Sequence, residues 1–229
     1  MTTIMLSSCD NHKHNKGHNH SQQHDSEGHN HDHHGQANAH MHGSSFEELV
    51  ERFESPKRDT YQQPQKVMDY LGDVRGKKVM DIGAGTGYFS FKLADAGASV
   101  IAADVDDQFQ RYIGDKKNKL GYSVDQVSLR KIPRNSPSLA TGEVDIVLMV
   151  NTYHHIEDRV PYFALVRSGL KSGGSLIVID FFKKDVPVGP PAEMKIASSQ
   201  VMSELKEAGF SSFDLNVDLL QYQFILRAQ

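Results

Sequence analysis

The run Asp81-Ile82-Gly83-Ala84-Gly85-Thr86-Gly87 sets three glycines at alternate positions behind an aspartate and an apolar stretch. Glycine costs backbone entropy, so this spacing marks a tight turn where a ligand can approach the main chain closely. Free N–H groups at the start of a following helix add hydrogen-bond donors. The spacing departs from the GxGxxG of pyrophosphate-binding loops, which favours a nucleotide-like ligand without phosphate. A second acid, Asp104, follows about twenty residues later, where a group that grips sugar hydroxyls is expected. His154 and His155 follow the apolar run Val144 to Val150. An imidazole there can take a proton from an attacking hydroxyl or ring carbon, or can simply pack on the next helix and bond a loop carbonyl.

Eleven of the thirteen histidines fall between His12 and His42, among Asn, Asp, Gly and Gln. They recur at alternate positions: His12 and His14; His18 and His20; His29, His31 and His33; His40 and His42. In an extended chain that puts alternate imidazoles on one side, a donor set for Zn, Ni or Cu. The alternative is a polar, solubilising tail. With almost no aliphatic residues, residues 1–43 are expected to be disordered. Within them, Leu6 to Cys9 resembles a lipobox, whose cysteine would tether the chain to a membrane, but Met1 to Met5 lacks the basic and apolar regions of a signal peptide.

Positioning elements begin at Ser45. Phe46, Leu49, Val50 and Phe53 follow helical spacing behind a capping box of Ser45 and Glu48, with Pro56 as the stop. A second helix is expected from Pro64 to Leu71, with Tyr61, Gln62 and Gln63 just before it as part of a lid. Strands are expected at Lys78 to Ile82, Ser99 to Ala103, Gln126 to Arg130, Val144 to Val150 and Ser175 to Asp180. Most are separated by helices at Tyr88 to Ala96, Asp107 to Lys119 and Arg159 to Leu170. That alternation implies a parallel sheet with helices on both faces, which suits the continuous apolar runs VDIVLMV and SLIVID. After a helix at Ser198 to Ala208, strands at Ser212 to Leu219 and Gln221 to Ala228 can join only as a tight hairpin, so the last runs antiparallel.

A net charge of −4 and scattered basic residues predict no nucleic-acid partner. No apolar stretch reaches the roughly 18 residues of a spanning helix. The single cysteine excludes an internal disulfide.

The glycine run resembles the first motif, D/E-x-G-x-G-x-G, of class I S-adenosylmethionine-dependent methyltransferases, and the resemblance extends from about Gln62 to Ala228. Through NTYHHIEDRVPYF and LKSGGSLIVIDF the chain is most similar to the small-molecule group that includes the ubiquinone and menaquinone biosynthesis methyltransferases. The resemblance implies an α/β, Rossmann-like methyltransferase fold: a mostly parallel seven-stranded sheet with an antiparallel last strand. It implies that Asp81 holds the glycine turn and the methionine amino group of the cofactor, with Gly83, Ala84, Gly85 and Gly87 around it. Asp104 would hold the ribose, Val105 the adenine, and Asn151 the cofactor or the substrate cleft. In many relatives an acid after the third strand receives the adenine amino group; here the chain reads Arg130-Lys131-Ile132, so backbone groups near Lys131 and Ile132 would serve.

Absences narrow the acceptor. Asn151-Thr152-Tyr153-His154 is not the Asn/Asp-Pro-Pro-Tyr/Phe motif of adenine and glutamine methylation, and no carboxylate in that loop suits a magnesium-dependent catechol enzyme. Cys9 alone cannot serve arsenite methylation. What remains is a small or lipid-like acceptor, with Pro187 to Pro191 bordering its pocket.

The expected organisation is a tail (1–43), N-terminal helices with a lid role (44–75) and a cofactor domain (76–229), in a cytoplasmic monomer or homodimer, or a lipoprotein anchored through Cys9. His154 and His155 are the catalytic candidates and Tyr61 a cofactor contact. The competing reading is a metal-sequestering or sensing protein with a regulatory cofactor domain; aminopropyl transfer is disfavoured by the lack of an acidic amine-binding loop.

Overall fold

A computed structural model describes residues 43–229. Cys9 and the candidate metal ligands His12, His14, His18, His20, His29, His31, His33, His40 and His42 lie outside the described residues, and with them the lipidation and metal-binding readings.

Three helices precede the sheet: α1 (Phe46–Glu54), α2 (Pro56–Gln62) and α3 (Pro64–Leu71). Ser45 and Glu48 form the expected capping box, the Ser45 hydroxyl accepting from the Glu48 N–H at 3.2 Å and the Glu48 carboxylate from the Ser45 N–H at 2.8 Å. Pro56 ends α1 but also begins α2, a helix the sequence did not announce. Proline is pre-shaped for a first helical position, and Ser55 caps it by accepting from the Lys57 N–H. Tyr61 therefore sits in a helix rather than a loop, and Gln63 alone, in a left-handed conformation, joins α2 to α3.

The sheet comprises β1 (Lys78–Ile82), β2 (Ser99–Asp104), β3 (Val127–Lys131), β4 (Val144–Val150), β5 (Leu170–Phe181), β6 (Phe213–Asn216) and β7 (Gln223–Ala228). Their order is β3-β2-β1-β4-β5-β7-β6. The first five pair in parallel, and β7 runs antiparallel to both β5 and β6. Between the strands lie α4 (Tyr88–Asp95), α5 (Asp107–Leu120), α6 (Arg159–Gly169) and α7 (Ser198–Glu207). Two boundaries differ from expectation by more than two residues. β5 starts directly after α6, with a register irregularity between Val144 and Ile146 of its neighbour. The last hairpin is longer than foreseen because Asn216 Oδ1 accepts the N–H groups of Asp218 and Leu219, turning the chain out of β6 early.

Strand alternation divides the core into two layers. Met80, Ile82, Val147 and Met149 face Phe163 and Val166 of α6 and Val201 and Leu205 of α7. Val79, Ile146 and Leu148 face Val67 of α3, Leu93 of α4 and Ile113 of α5. Asp81 shares the second face with Val79, which decides its role.

Candidate active site

The strand order reverses between β1 and β4, and open α/β sheets bind ligands outside the carboxyl ends of their strands at that point. A cavity of about 780 Å³ lies there. Gly83 has φ +75°, and a Cβ on it would come within 2.3 Å of the Thr152 hydroxyl, so only glycine lets the turns after β1 and β4 touch. Gly85, with φ +55°, faces the Phe53 ring of α1.

Asp104 ends β2 at the cavity wall and is 6% exposed. Its Oδ2 accepts from the Gly85 N–H and its Oδ1 from the Asp106 N–H, both at 2.9 Å. Burial raises its pKa, and these N–H groups oppose the rise. The carboxylate thus ties the glycine turn to the start of α5, and it keeps lone pairs for a ligand. Val105 is 36% exposed beside it. Lys131 and Ile132 also line the cavity, but the Ile132 N–H donates to the Asp104 carbonyl at 3.1 Å and the Lys131 ammonium pairs with Asp107. The Ile132 amide expected to serve adenine is therefore already engaged in holding β3 to β2.

Two expected cofactor residues stand outside the cavity lining. Asp81 points into the opposite core layer, where its Oδ2 accepts from the Ser90 hydroxyl of α4 at 2.7 Å. Burial pushes its pKa up to about 6, against the pull of Ser90 and Arg58. It ties β1 to α4, the two elements that flank the glycine turn, and does not line the cavity. Gly87 is the N-cap of α4 at φ +78°, and a Cβ there would strike the Phe91 ring.

Asn151 borders the cavity in a left-handed conformation, φ +55°, which asparagine tolerates. Its side chain is committed to a closed ring of three amides. Asn151 Nδ2 donates to Gln62 Oε1 at 3.2 Å, Gln62 Nε2 to Gln223 Oε1 at 3.0 Å, and Gln223 Nε2 to Asn151 Oδ1. Gln62 and Gln223 are fully buried. The ring fastens α2 to the ends of β4 and β7, so Asn151 serves first as a structural tie. Tyr61, from the same helix, lines the cavity 6.1 Å from the Phe181 ring.

His154 and His155 lie on a short 3-10 turn, Tyr153–His155, their rings 4.3 Å apart, and both line the cavity. His154 Nδ1 lies 2.9 Å and 3.0 Å from the two carboxylate oxygens of Asp180, near the end of β5. An ionised carboxylate can only accept, so Nδ1 carries the hydrogen and the lone pair of the neutral ring resides on Nε2. The turn is held from behind by Glu204 of α7, whose carboxylate accepts from the Tyr153 hydroxyl at 2.6 Å and from Arg159 Nε and Nη2 at 2.6 and 2.9 Å. Ile156, Tyr162, Phe181, Pro190 and Met194 make this end of the cavity apolar. The buried Tyr162 hydroxyl lacks a hydrogen-bond partner among the described residues, and burial keeps it protonated.

Sequence reasoning missed Asp180, Thr152, Phe53, Tyr162 and Arg58. A carboxylate closing the apolar run SLIVID was a legible signal for Asp180. The others depend on elements that meet only in three dimensions. Among the described residues no group of three or more His, Cys, Asp or Glu is placed to hold a metal, and no helix is long and apolar enough to cross a membrane.

A seven-stranded sheet of this order, with a glycine turn and a strand-end acid at its switch point, is the Rossmann-like fold of the class I S-adenosylmethionine-dependent methyltransferases. Residues 80–178 match the family model described as a methyltransferase domain. The solved structure of a SAM-dependent methyltransferase from Aquifex aeolicus superposes with a TM-score of 0.73 at 25% identity, covering 81% of this chain and 98% of that one. The Synechocystis magnesium protoporphyrin IX methyltransferase, solved with bound SAH, shares the fold at a TM-score of 0.56 and 22% identity, over 73% of this chain and 81% of that one. A tRNA U34 carboxymethyltransferase of Dichelobacter nodosus is 28% identical over 50% of this chain and 36% of its own length. The chain spans between 35% and 47% of the length of four curated relatives that it matches.

Proposed function

We propose that the protein transfers the methyl group of S-adenosylmethionine to a small, largely apolar acceptor that loses a proton in the reaction. One observation carries this reading: a single cavity joins the glycine turn and Asp104 to the His154–Asp180 pair. The residues fit the cofactor, because Gly83, Ala84 and Gly85 line the cavity and the strand-end carboxylate beside them retains acceptor capacity. When bound, S-adenosylmethionine supplies an electrophilic methyl group on a sulfonium, open to in-line displacement. Asp104 would hold the ribose hydroxyls and Val105 the adenine face.

The chain's own contribution is positioning and dryness. The helices α1 and α2 cover the turn, with Phe46 and Phe53 packed 5.2 and 5.8 Å from the Phe109 ring, and exclude water from the reacting centre. Nε2 of His154 takes the acceptor's proton, and Asp180 orients the ring and stabilises the imidazolium. His155 shapes the wall beside it. The Tyr162 hydroxyl donates to a polar atom of the acceptor.

Incubating the full chain and a cell extract with methyl-labelled S-adenosylmethionine, followed by untargeted mass spectrometry, tests the reading. The expected result is one labelled product formed with loss of a proton. Cofactor binding with no labelled product in any extract would reduce the domain to a binding module.

For the segment outside the described residues we propose that the alternating histidines, from His12 and His14 through His18, His20, His29, His31 and His33 to His40 and His42, capture a borderline divalent metal. Calorimetry with Zn, Ni and Cu should give uptake by the full chain that is lost in a chain beginning at Ser44; equal uptake by both contradicts it. We further propose that the protein acts in the cytoplasm, with 76–229 as cofactor domain, 44–75 as its cover, and no nucleic-acid partner.

A further inference from the structure

The turn that carries His154 is gripped from two sides, and only one grip touches the ring. Asp180 takes the ring itself: its carboxylate oxygens lie 2.9 and 3.0 Å from Nδ1, and Oδ2 also accepts the His154 N–H at 3.3 Å. Glu204 of α7 takes the turn at both ends. Its Oε2 accepts from the hydroxyl of Tyr153, directly before His154, at 2.6 Å. The same carboxylate holds Arg159 through Nε and Nη2, and Arg159 Nη1 donates at 3.1 Å to the carbonyl of Ile156, directly after His155.

The donors of this clamp lie in the core. Arg159 is 5% exposed, and Tyr153 is fully buried with its ring stacked 4.8 Å from Phe163. Gln200, one turn earlier on α7, gives Glu204 Oε1 a further donor at 2.9 Å. Burial alone would raise the Glu204 pKa, but the Arg159, Tyr153 and Gln200 donors outweigh it and leave the pKa lowered. Holding α7 on the sheet does not require this charge, since Val201 and Leu205 already pack into the core on either side of Glu204. A buried ion pair adds little net stability over an apolar pair of similar volume, yet its bonds are directional. Direction is what an aligned base needs: a misplacement of about 1 Å can cost about 10²-fold in rate.

We infer that Glu204 is a positioning residue for the transfer, setting the reach of His154 Nε2 into the cavity through Tyr153 and Arg159. This rests on the methyl-transfer reading, in which Nε2 takes the acceptor's proton. Glu204 is not part of the cavity lining, so it acts only through the turn. α7 also continues from the segment that carries Pro190 and Met194 of the apolar wall. Lys195 staples that segment by donating to the Lys184 carbonyl at 2.8 Å. The helix thus joins the wall that receives the acceptor to the base that deprotonates it.

Nitrogen-15 NMR of the histidine rings in the full chain, saturated with S-adenosylhomocysteine, reads the alignment without any acceptor. His154 is assigned by its loss in His154→Asn, and the wild-type signal should be a slowly exchanging Nδ1–H. Glu204→Gln keeps the volume and removes the charge; Tyr153→Phe keeps the ring stack and removes one bond. Exchange of Nδ1–H should quicken at least about ten-fold in the first and about threefold in the second. Turnover of methyl-labelled S-adenosylmethionine with cell extract should fall about thirty-fold and about fivefold, while S-adenosylhomocysteine affinity stays within about threefold. Glu204→Asp, with the charge but not the length, should not restore the rate. A purely structural role would lower the melting temperature and leave exchange and turnover of the folded variants unchanged, which overturns the proposal alone. Should Glu204→Gln unfold, Tyr153→Phe decides by the same two readings. Wild-type turnover in His154→Asn removes the base itself and the proposal with it. With no labelled product in any extract the methyl-transfer reading falls, and the exchange rates still decide whether Glu204 aligns the ring.

Discussion

The cavity has two halves built on different physical terms. Around β1, β2 and β3 the walls are turns: glycines at positive φ, backbone N–H groups, and a carboxylate that knits them together. Around β4 and β5 they are side chains drawn from distant segments, an apolar lining with one buried histidine–aspartate pair. Turn geometry tolerates few residue types, whereas an apolar wall accepts many of the right volume. On the proposed reading the first half holds the cofactor, and the second is the half that can be retuned to a new acceptor.

Variants in the two halves should separate cleanly, the largest effect lying in the acceptor half. His154→Asn should lower turnover by about 10²- to 10⁴-fold, the range for a positioned base, while S-adenosylhomocysteine affinity stays within about threefold. Steady-state kinetics alongside calorimetry reads both numbers, and a parallel loss of affinity would merge the halves. Asp104→Asn should do the reverse to binding. It removes a charged acceptor from the ribose and loosens the Gly85 turn, so cofactor affinity should fall by about a hundred-fold. Wild-type affinity in that variant would leave the turn half without its anchor.

Asp81 sharpens the comparison because it supports the first half from below. Its pKa rises to about 6 on burial, so the fold disfavours the ionised form. That contribution is complete below the ordinary carboxylate range and is lost as pH climbs from about 4 through about 6. Asp81→Asn should flatten the slope and gain about 2 kcal/mol in unliganded stability at pH 7. Urea denaturation at pH 4.5 and 7 checks it, and an unchanged slope would place the titration elsewhere. The smallest effect concerns the seam between the halves: Gln62→Leu should cost about 1 to 2 kcal/mol by opening the amide ring. A double-mutant cycle with Gln223→Leu should show coupling, and simple additivity would mean the ring carries no shared energy.

Most strands were legible because buried parallel strands are uninterrupted apolar runs; Lys78–Ile82 and Val144–Val150 stand as the sequence predicts. Two misplaced boundaries sit at a proline and a polar residue, where Pro56 both stops and starts a helix and Asn216 turns the chain out of β6; a third is the early start of β5 at Leu170, directly after α6. In the site, Gly83, Gly85 and Asp104 were readable because their spacing is local. Asp81 was readable as important but not as buried away from the cavity, since that depends on which face of β1 its side chain takes. Asn151, expected at the ligand, has its amide engaged by glutamines 89 and 72 residues away in the chain. Arg58, unremarkable between Lys57 and Asp59, gains meaning only when α2 folds over α4.

Solving the full chain with S-adenosylhomocysteine measures the central claim directly. The expected complex has the nucleoside across the carboxyl ends of β1 and β2, its ribose hydroxyls on the Asp104 carboxylate and its sulfur facing the His154 end of the cavity. A nucleoside seated elsewhere, or a cavity that stays closed to saturating ligand, would contradict it.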